Sequence, residues 1–238
     1  MSDETAKTSP LETYFIECGM PEAAARILYV ALRLFAAKGY SATSVREIVQ
    51  EANVTNPMLY YYFDNKEGVF QRLIEILFEG LQEAIEKVLL EEHLTLHQKL
   101  RTIIDLHLDG VSEAPEAITF VYSVLFGPTD SRPPLDARDL RSKNFDQLIE
   151  VFAGAIEAGE FLPNRNSDPA FLAMQFFGLI NQHMMFAIKA LEAANGDEND
   201  IERVLGVAPE PRAIIAFMSD EQARKRLLEF FLGGAGTL

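Results

Sequence analysis

The sequence has one cysteine, Cys18, and no tryptophan. A single thiol excludes a disulfide framework and suits a reducing compartment. Basic residues are scarce: 21 Lys and Arg stand against 36 Asp and Glu, a formal net charge of −15. Phosphate repels so acidic a chain, which excludes indiscriminate coating of nucleic acid. There is no Gly-rich phosphate loop and no Gly-x-Ser-x-Gly, so the common nucleotide and acyl-transfer signatures are missing. His93 and His97 stand four apart beside Glu92, yet Glu-x-x-His occurs nowhere, and a di-iron bundle would lack its ligands. No catalytic set, metal or cofactor is therefore expected, and a helical-bundle enzyme is the remote alternative. The first ten residues, MSDETAKTSP, hold no apolar stretch and do not read as a signal peptide. The run PAFLAMQFFGLINQHMMFAI, residues 169–188, is uncharged and long enough to cross a bilayer. Gln175, Asn181, Gln182 and His183 interrupt it and no basic cluster flanks it. We expect a buried helix of a cytoplasmic protein, at a subunit interface, with no membrane partner.

What the chain does have is apolar bulk: 48% of its 238 residues, enough for a full core. The apolar spacing is helical throughout, with no alternation of period two and no internal repeat, so the expected fold is all-α. Ser9-Pro10 opens a short helix that Gly19 ends. Pro21-Glu22 opens another, which Lys38-Gly39 stops. Thr43 or Ser44 caps a helix whose apolar face is Val45, Ile48, Val49 and Ala52. Asn56-Pro57 opens a third short helix ending near Tyr62. A long helix follows over 66–90, then helices near 95–111, 115–126, 137–158, 168–193 and 219–232. Residues 201–218 read less clearly, as one or two short helices. The sequence SDEQ at 219–222 fits a capping box.

Charge is unevenly placed. Residues 21–66 carry Arg26, Arg33, Lys38, Arg46 and Lys66 against Glu22, Glu47, Glu51 and Asp64, a net +1 that leaves −16 for the rest. Within this stretch, two short helices flank ANVT, the spacing of a helix-turn-helix. Asn53 tolerates the left-handed backbone such a turn needs, and Val54 plugs the small core between the helices. Leu59 and Phe63 share a face and anchor the second helix. Tyr60, Tyr61 and Tyr62 fan around the rest of it, offering hydroxyls to phosphate without adding charge. So few cations predict a shallow salt dependence of DNA affinity.

The stretch Arg26–Leu73, RILYVALRLFAAKGYSATSVREIVQEANVTNPMLYYYFDNKEGVFQRL, resembles the DNA-binding domain of the TetR family of transcriptional regulators. The likeness rests on a long helix ending in Lys-Gly-Tyr, Thr43-Ser44, Val54-Thr55, Leu59–Phe63 and Asn65-Lys66-Glu67. Two departures stand out: Asn53 replaces the family's usual glycine, and Asn56-Pro57 its common Lys-Gly. The altered pair reshapes the groove-facing surface, so an operator sequence does not transfer from relatives. The resemblance implies DNA contacts from Thr43, Ser44, Arg46, Thr55, Asn56, Pro57, Met58, Tyr60, Tyr61, Tyr62 and Lys66. It also implies three parts: an extension over 1–20, the helix-turn-helix domain over 21–66, and an effector-binding and dimerisation domain over 67–238.

The expected partners are a palindromic double-stranded operator, a second copy of the chain and a small effector. The uncharged 168–193 and the amphipathic 219–232 suit a four-helix interface in a homodimer. His107, Phe120, Tyr122, Phe126, Phe176 and His183 are the candidate ligand contacts, and their mix suits a hydrophobic or aromatic effector. A lone histidine on an apolar face is otherwise a hydrogen-bonded core residue. On this reading a ligand that prefers one tilt of the helix over 66–90 releases a repressor from DNA. The alternative is a DNA-binding regulator without an effector, constitutive, architectural or gated by a protein.

Overall fold

A computed structural model describes residues 9–135, 143–160, 168–194 and 220–235. These residues form α-helices and one 3-10 turn, with no strand among them. The helices are α1 Pro10–Glu17, α2 Glu22–Lys38, α3 Val45–Glu51, α4 Asn56–Phe63, α5 Lys66–Leu90, α6 Leu96–Glu113, α7 Pro115–Phe126, α8 Lys143–Glu157, α9 Pro169–Ala194 and α10 Glu221–Ala235. The expected order is reproduced wherever the chain is described. Residues 201–218, the start of the helix expected from 137, and Ser219 of the SDEQ box lie outside the described residues. Asp220 does accept from the Gln222 N–H at 3.2 Å and so caps α10.

Two compact units emerge. The first takes the residues through Glu79 together with Glu116–Leu135. Its centre is aromatic. Phe35 lies 5.9 Å from Phe70 and 6.0 Å from Phe120, ring centre to ring centre, and Phe70 lies 5.5 Å from Phe120. All three rings are sealed from solvent. Burying one contributes roughly 2–3 kcal/mol, which makes this cluster the anchor of α2, α5 and α7. α1 packs on α2 through the buried Leu11 and Phe15.

The α4–α5 joint is unusually tight. Asp64 has φ 61° and ψ −42°, and the Asn65 N–H donates to the Phe63 carbonyl at 2.6 Å. That is a γ-turn of the rare, strained hand. The same carbonyl blocks position 68, where any Cβ would collide with it, so Gly68 is obligatory there. The Gly68 N–H donates instead to the Asn65 side chain at 2.9 Å.

The second unit is Gly80–Pro115 with the chain from Asp136 onward. Thr95 and Gln98 form a capping box that starts α6. α10 is pinned to α6 by Arg224, whose Nη1 reaches Asp105 at 3.1 Å and Asp109 at 2.6 Å. α8 is tied to α5 by the Asn144 amide, which donates to the Gln82 carbonyl at 3.2 Å, and by the Gln147 amide, which donates to Glu86 at 3.1 Å. α9 is long and apolar enough to cross a membrane by length and composition alone. Yet Leu172, Phe176, Ile180, Met184 and Ala187 form a stripe buried in this unit. The opposite stripe of α9, Phe171, Met174, Gly178, Gln182 and Met185, is exposed.

Candidate nucleic-acid interface

α3 starts on a complete capping box. The Glu47 N–H donates to Ser44 Oγ at 3.3 Å and the Ser44 N–H donates to Glu47 Oε2 at 2.8 Å. Lys38 also donates to Glu47. With the Lys38 bond the largest cause and the Ser44 bonds next, the Glu47 carboxyl is held down at about 2. α3 ends in a Schellman motif. The Val54 N–H bonds the Val49 carbonyl at 3.0 Å, the Asn53 N–H bonds the Gln50 carbonyl at 3.2 Å, and Asn53 is left-handed at φ 51°. Asn53 thus does the work of a glycine, as its chemistry predicts.

α4 follows after Thr55, which holds the N-cap position although its hydroxyl makes no cap bond. Leu59 and Phe63 are buried and fix one face of α4. Asn56 and Pro57 are exposed, Tyr60 is 50% exposed and Tyr61 81%. Met58 and Tyr62 are half-buried, Tyr62 with its ring edge against Tyr61 at 5.0 Å. Arg46 stands exposed on α3. So does Gln50, one turn on, which the sequence reading passed over although its four-residue spacing from Arg46 was visible.

Two residues assigned to DNA face inward. Thr43 is 2% exposed; its hydroxyl donates to the Gly39 carbonyl at 2.9 Å and its N–H to the Tyr40 carbonyl at 3.2 Å. With both donors engaged, Thr43 is a fastening of the α2–α3 loop, and Ser44 alone caps α3. Lys66 donates to the carbonyls of Tyr40 and Thr43 at 2.8 and 2.7 Å. Desolvation lowers its affinity for the proton. Its ammonium is a brace for the same loop in place of the free phosphate contact expected. The Ser41 hydroxyl adds another tie, to the Ser131 carbonyl at 2.8 Å.

The candidate ligand residues divide between the units. Phe120 and Tyr122 are buried and Phe126 is exposed, all three in the first unit. Phe120 is a core ring. In the second unit Phe176 is fully buried between Phe152 and Phe231, at 6.5 and 5.2 Å, and is likewise core. His107 Nδ1–H donates to the Ile103 carbonyl and His183 Nδ1–H to the Leu179 carbonyl, both at 2.8 Å. For His107, whose burial favours the neutral ring, that bond puts the proton on Nδ1 and leaves Nε2 as an acceptor. Burial keeps His107 below the usual histidine range. Its ring meets Phe177 edge-on at 6.4 Å, and Phe177 meets Phe145 at 6.1 Å. Phe145 and Phe177 escaped the sequence reading, because period alone does not rank neighbouring phenylalanines.

Paired helices of this build place the second in the major groove, which makes the chain a helix-turn-helix DNA-binding protein. Residues 27–73 match the profile of bacterial regulatory proteins of the tetR family. That stretch is a DNA-binding domain of the TetR family, and the chain is similar to DNA-binding transcriptional regulators of that family. It is 27% identical over 147 residues to the HTH-type transcriptional regulator YfiR of Bacillus subtilis, covering 58% of this chain and 68% of that one. It is 32% identical over 60 residues to IcaR of Staphylococcus aureus, the negative transcriptional regulator of the biofilm operon icaADBC, covering 25% of this chain and 32% of that one. A TetR family regulator from Chloroflexus aurantiacus shares the fold at a TM-score of 0.61 and 19% identity, over 95% of this chain and 98% of that one.

Proposed function

We propose that the chain is a cytoplasmic repressor that binds a two-fold symmetric operator as a homodimer and leaves it when a small hydrophobic or aromatic effector shifts α5. The observation that carries the reading is the outward pair Tyr60 and Tyr61 on a helix locked inward by Leu59 and Phe63. Large aromatics left in water on so short a helix suit a surface that meets phosphate and base edges. Ser44, Arg46, Thr55, Asn56, Pro57 and Met58 complete the reading surface, with Tyr62 at its edge.

Dimerisation is supported by the exposed stripe of α9 and by Phe230 of α10, 75% exposed. Gly178 has nothing within 4 Å of where a Cβ would stand, which leaves room for a partner helix to approach closely. The effector reading is supported by the half-buried rings of His107, Phe145 and Phe177, which meet one another and bring one polar acceptor to an aromatic cluster. IcaR's role as a negative regulator supports repression as the direction.

The test joins sedimentation with a gel-shift titration on DNA fragments selected by the purified chain. The parent is expected to sediment as a dimer and to retain a palindrome. Met174→Lys is expected to shift the mass toward monomer and to weaken retention at least tenfold. A parent that stays monomeric at micromolar concentration while holding non-palindromic DNA ends the dimer reading. Thermal-shift screening of apolar and aromatic compounds tests the effector, since a ligand at 100 times its Kd stabilises by about 2.7 kcal/mol.

A further inference from the structure

α4 carries no lysine or arginine: its sequence is NPMLYYYF. At 100° per residue, Asn56, Tyr60, Pro57 and Tyr61 fall in that order within an arc of about 140°. All four are exposed, while the buried Leu59 and Phe63 border the Asn56 edge of the arc and the half-buried Met58 and Tyr62 lie behind it. The groove-facing surface of α4 is therefore one amide, one proline ring and two phenols.

Base edges discriminate among such groups. Guanine is most often read by a bidentate cation at O6 and N7, and α4 has none to offer. An asparagine amide matches adenine, donating to N7 and accepting from the N6 amino group. Pro57 lacks an N–H and presents carbon alone, which fits the thymine 5-methyl group. The tyrosine hydroxyls both donate and accept, so they position the helix on phosphate more than they select a base. Asn56 and Pro57 stand in the first turn of α4, the part of a recognition helix nearest the bases.

We propose that the half-site opposite the first turn of α4 is built of A·T pairs, with an adenine read by Asn56 and an adjacent thymine whose methyl group packs on Pro57. The inference rests on α4 being the helix that enters the groove. It names the base chemistry that this helix selects.

The experiment is selection of binding fragments from random duplex DNA by the full-length chain, followed by titration of the selected operator. The expected half-site has A·T pairs at its most constrained positions. Replacing the contacted thymidine by deoxyuridine, which removes the methyl group alone, is expected to weaken binding about fourfold per site. Asn56→Ala is expected to abolish a preference for adenine that is about tenfold or more in the parent. The first change leaves the protein untouched, and the second is made at an exposed side chain and spares the fold. Selection of G·C pairs at those positions, or equal affinity for the thymidine and deoxyuridine operators, overturns the inference and leaves the helix-turn-helix reading standing. Retention of no common sequence overturns that reading, and this inference with it.

Discussion

The ammonium of Lys66 lies 4.0 Å from the centre of the Tyr40 ring. It thus faces an aromatic surface while donating to two backbone carbonyls, a cation used inside the protein.

Lys66→Met is accordingly expected to destabilise the fold by about 2 kcal/mol, with two charge-assisted bonds lost from the loop before α3. Chemical denaturation measures this. The salt dependence of operator binding is expected to keep its slope, because the ammonium is engaged by the Tyr40 and Thr43 carbonyls. A slope shallower by about 1 per protomer, with stability intact, would mean that Lys66 sits on DNA instead.

Between residues 39 and 66 the cations are Arg46 and Lys66. With Lys66 engaged internally, Arg46 is the one left to displace counterions. A dimer then gives a slope of log K against log salt of about −2, and Arg46→Gln brings it close to zero. Affinities measured across a salt series decide this; a parent slope of about −6 or steeper rules it out.

Tyr60→Phe and Tyr61→Phe remove single hydroxyls from exposed rings. Each is expected to weaken operator binding by about 1 kcal/mol and leave the melting temperature unchanged. Unaltered affinity in a gel-shift titration would place those hydroxyls off the DNA.

His107 gives the second unit a pH dependence. Desolvation lowers its folded pKa beneath the unfolded value of 6.5. The unfolded chain then binds more protons below that value, so stability is fully present above pH 6.5 and is lost as pH falls toward the lowered pKa. The parent melting temperature is expected to drop between about pH 7 and about pH 5 more steeply than that of His107→Gln. Parallel curves for the two proteins would remove His107 as the cause.

The helices and the reader were legible because their signals are local. Ser44 and Glu47 stand three apart, Asn53 suits a left-handed turn, and Pro57 opens α4. The choice between Thr43 and Ser44 was not legible, since adjacent hydroxyls have equal reach in sequence and differ only in which one the loop buries. Phe120 looked like a ligand contact because nothing local reveals that it joins Phe35, 85 positions earlier in the chain. Lys66 misled for a related reason: a lysine at a helix start reads as exposed until the loop above it closes over the ammonium. Asp64 carried no warning of its positive φ. The residues are ordinary there, and the geometry comes from fitting α5 directly behind α4.

That fit makes the α4–α5 connection a weld. The Phe63 carbonyl accepts from the Asn65 N–H and occupies the space a side chain at 68 would need, so the first turn of α5 packs directly against the end of α4. A methyl group added at position 68 would collide with the Phe63 carbonyl and force the two helices apart at the point where the aromatic face of α4 is set.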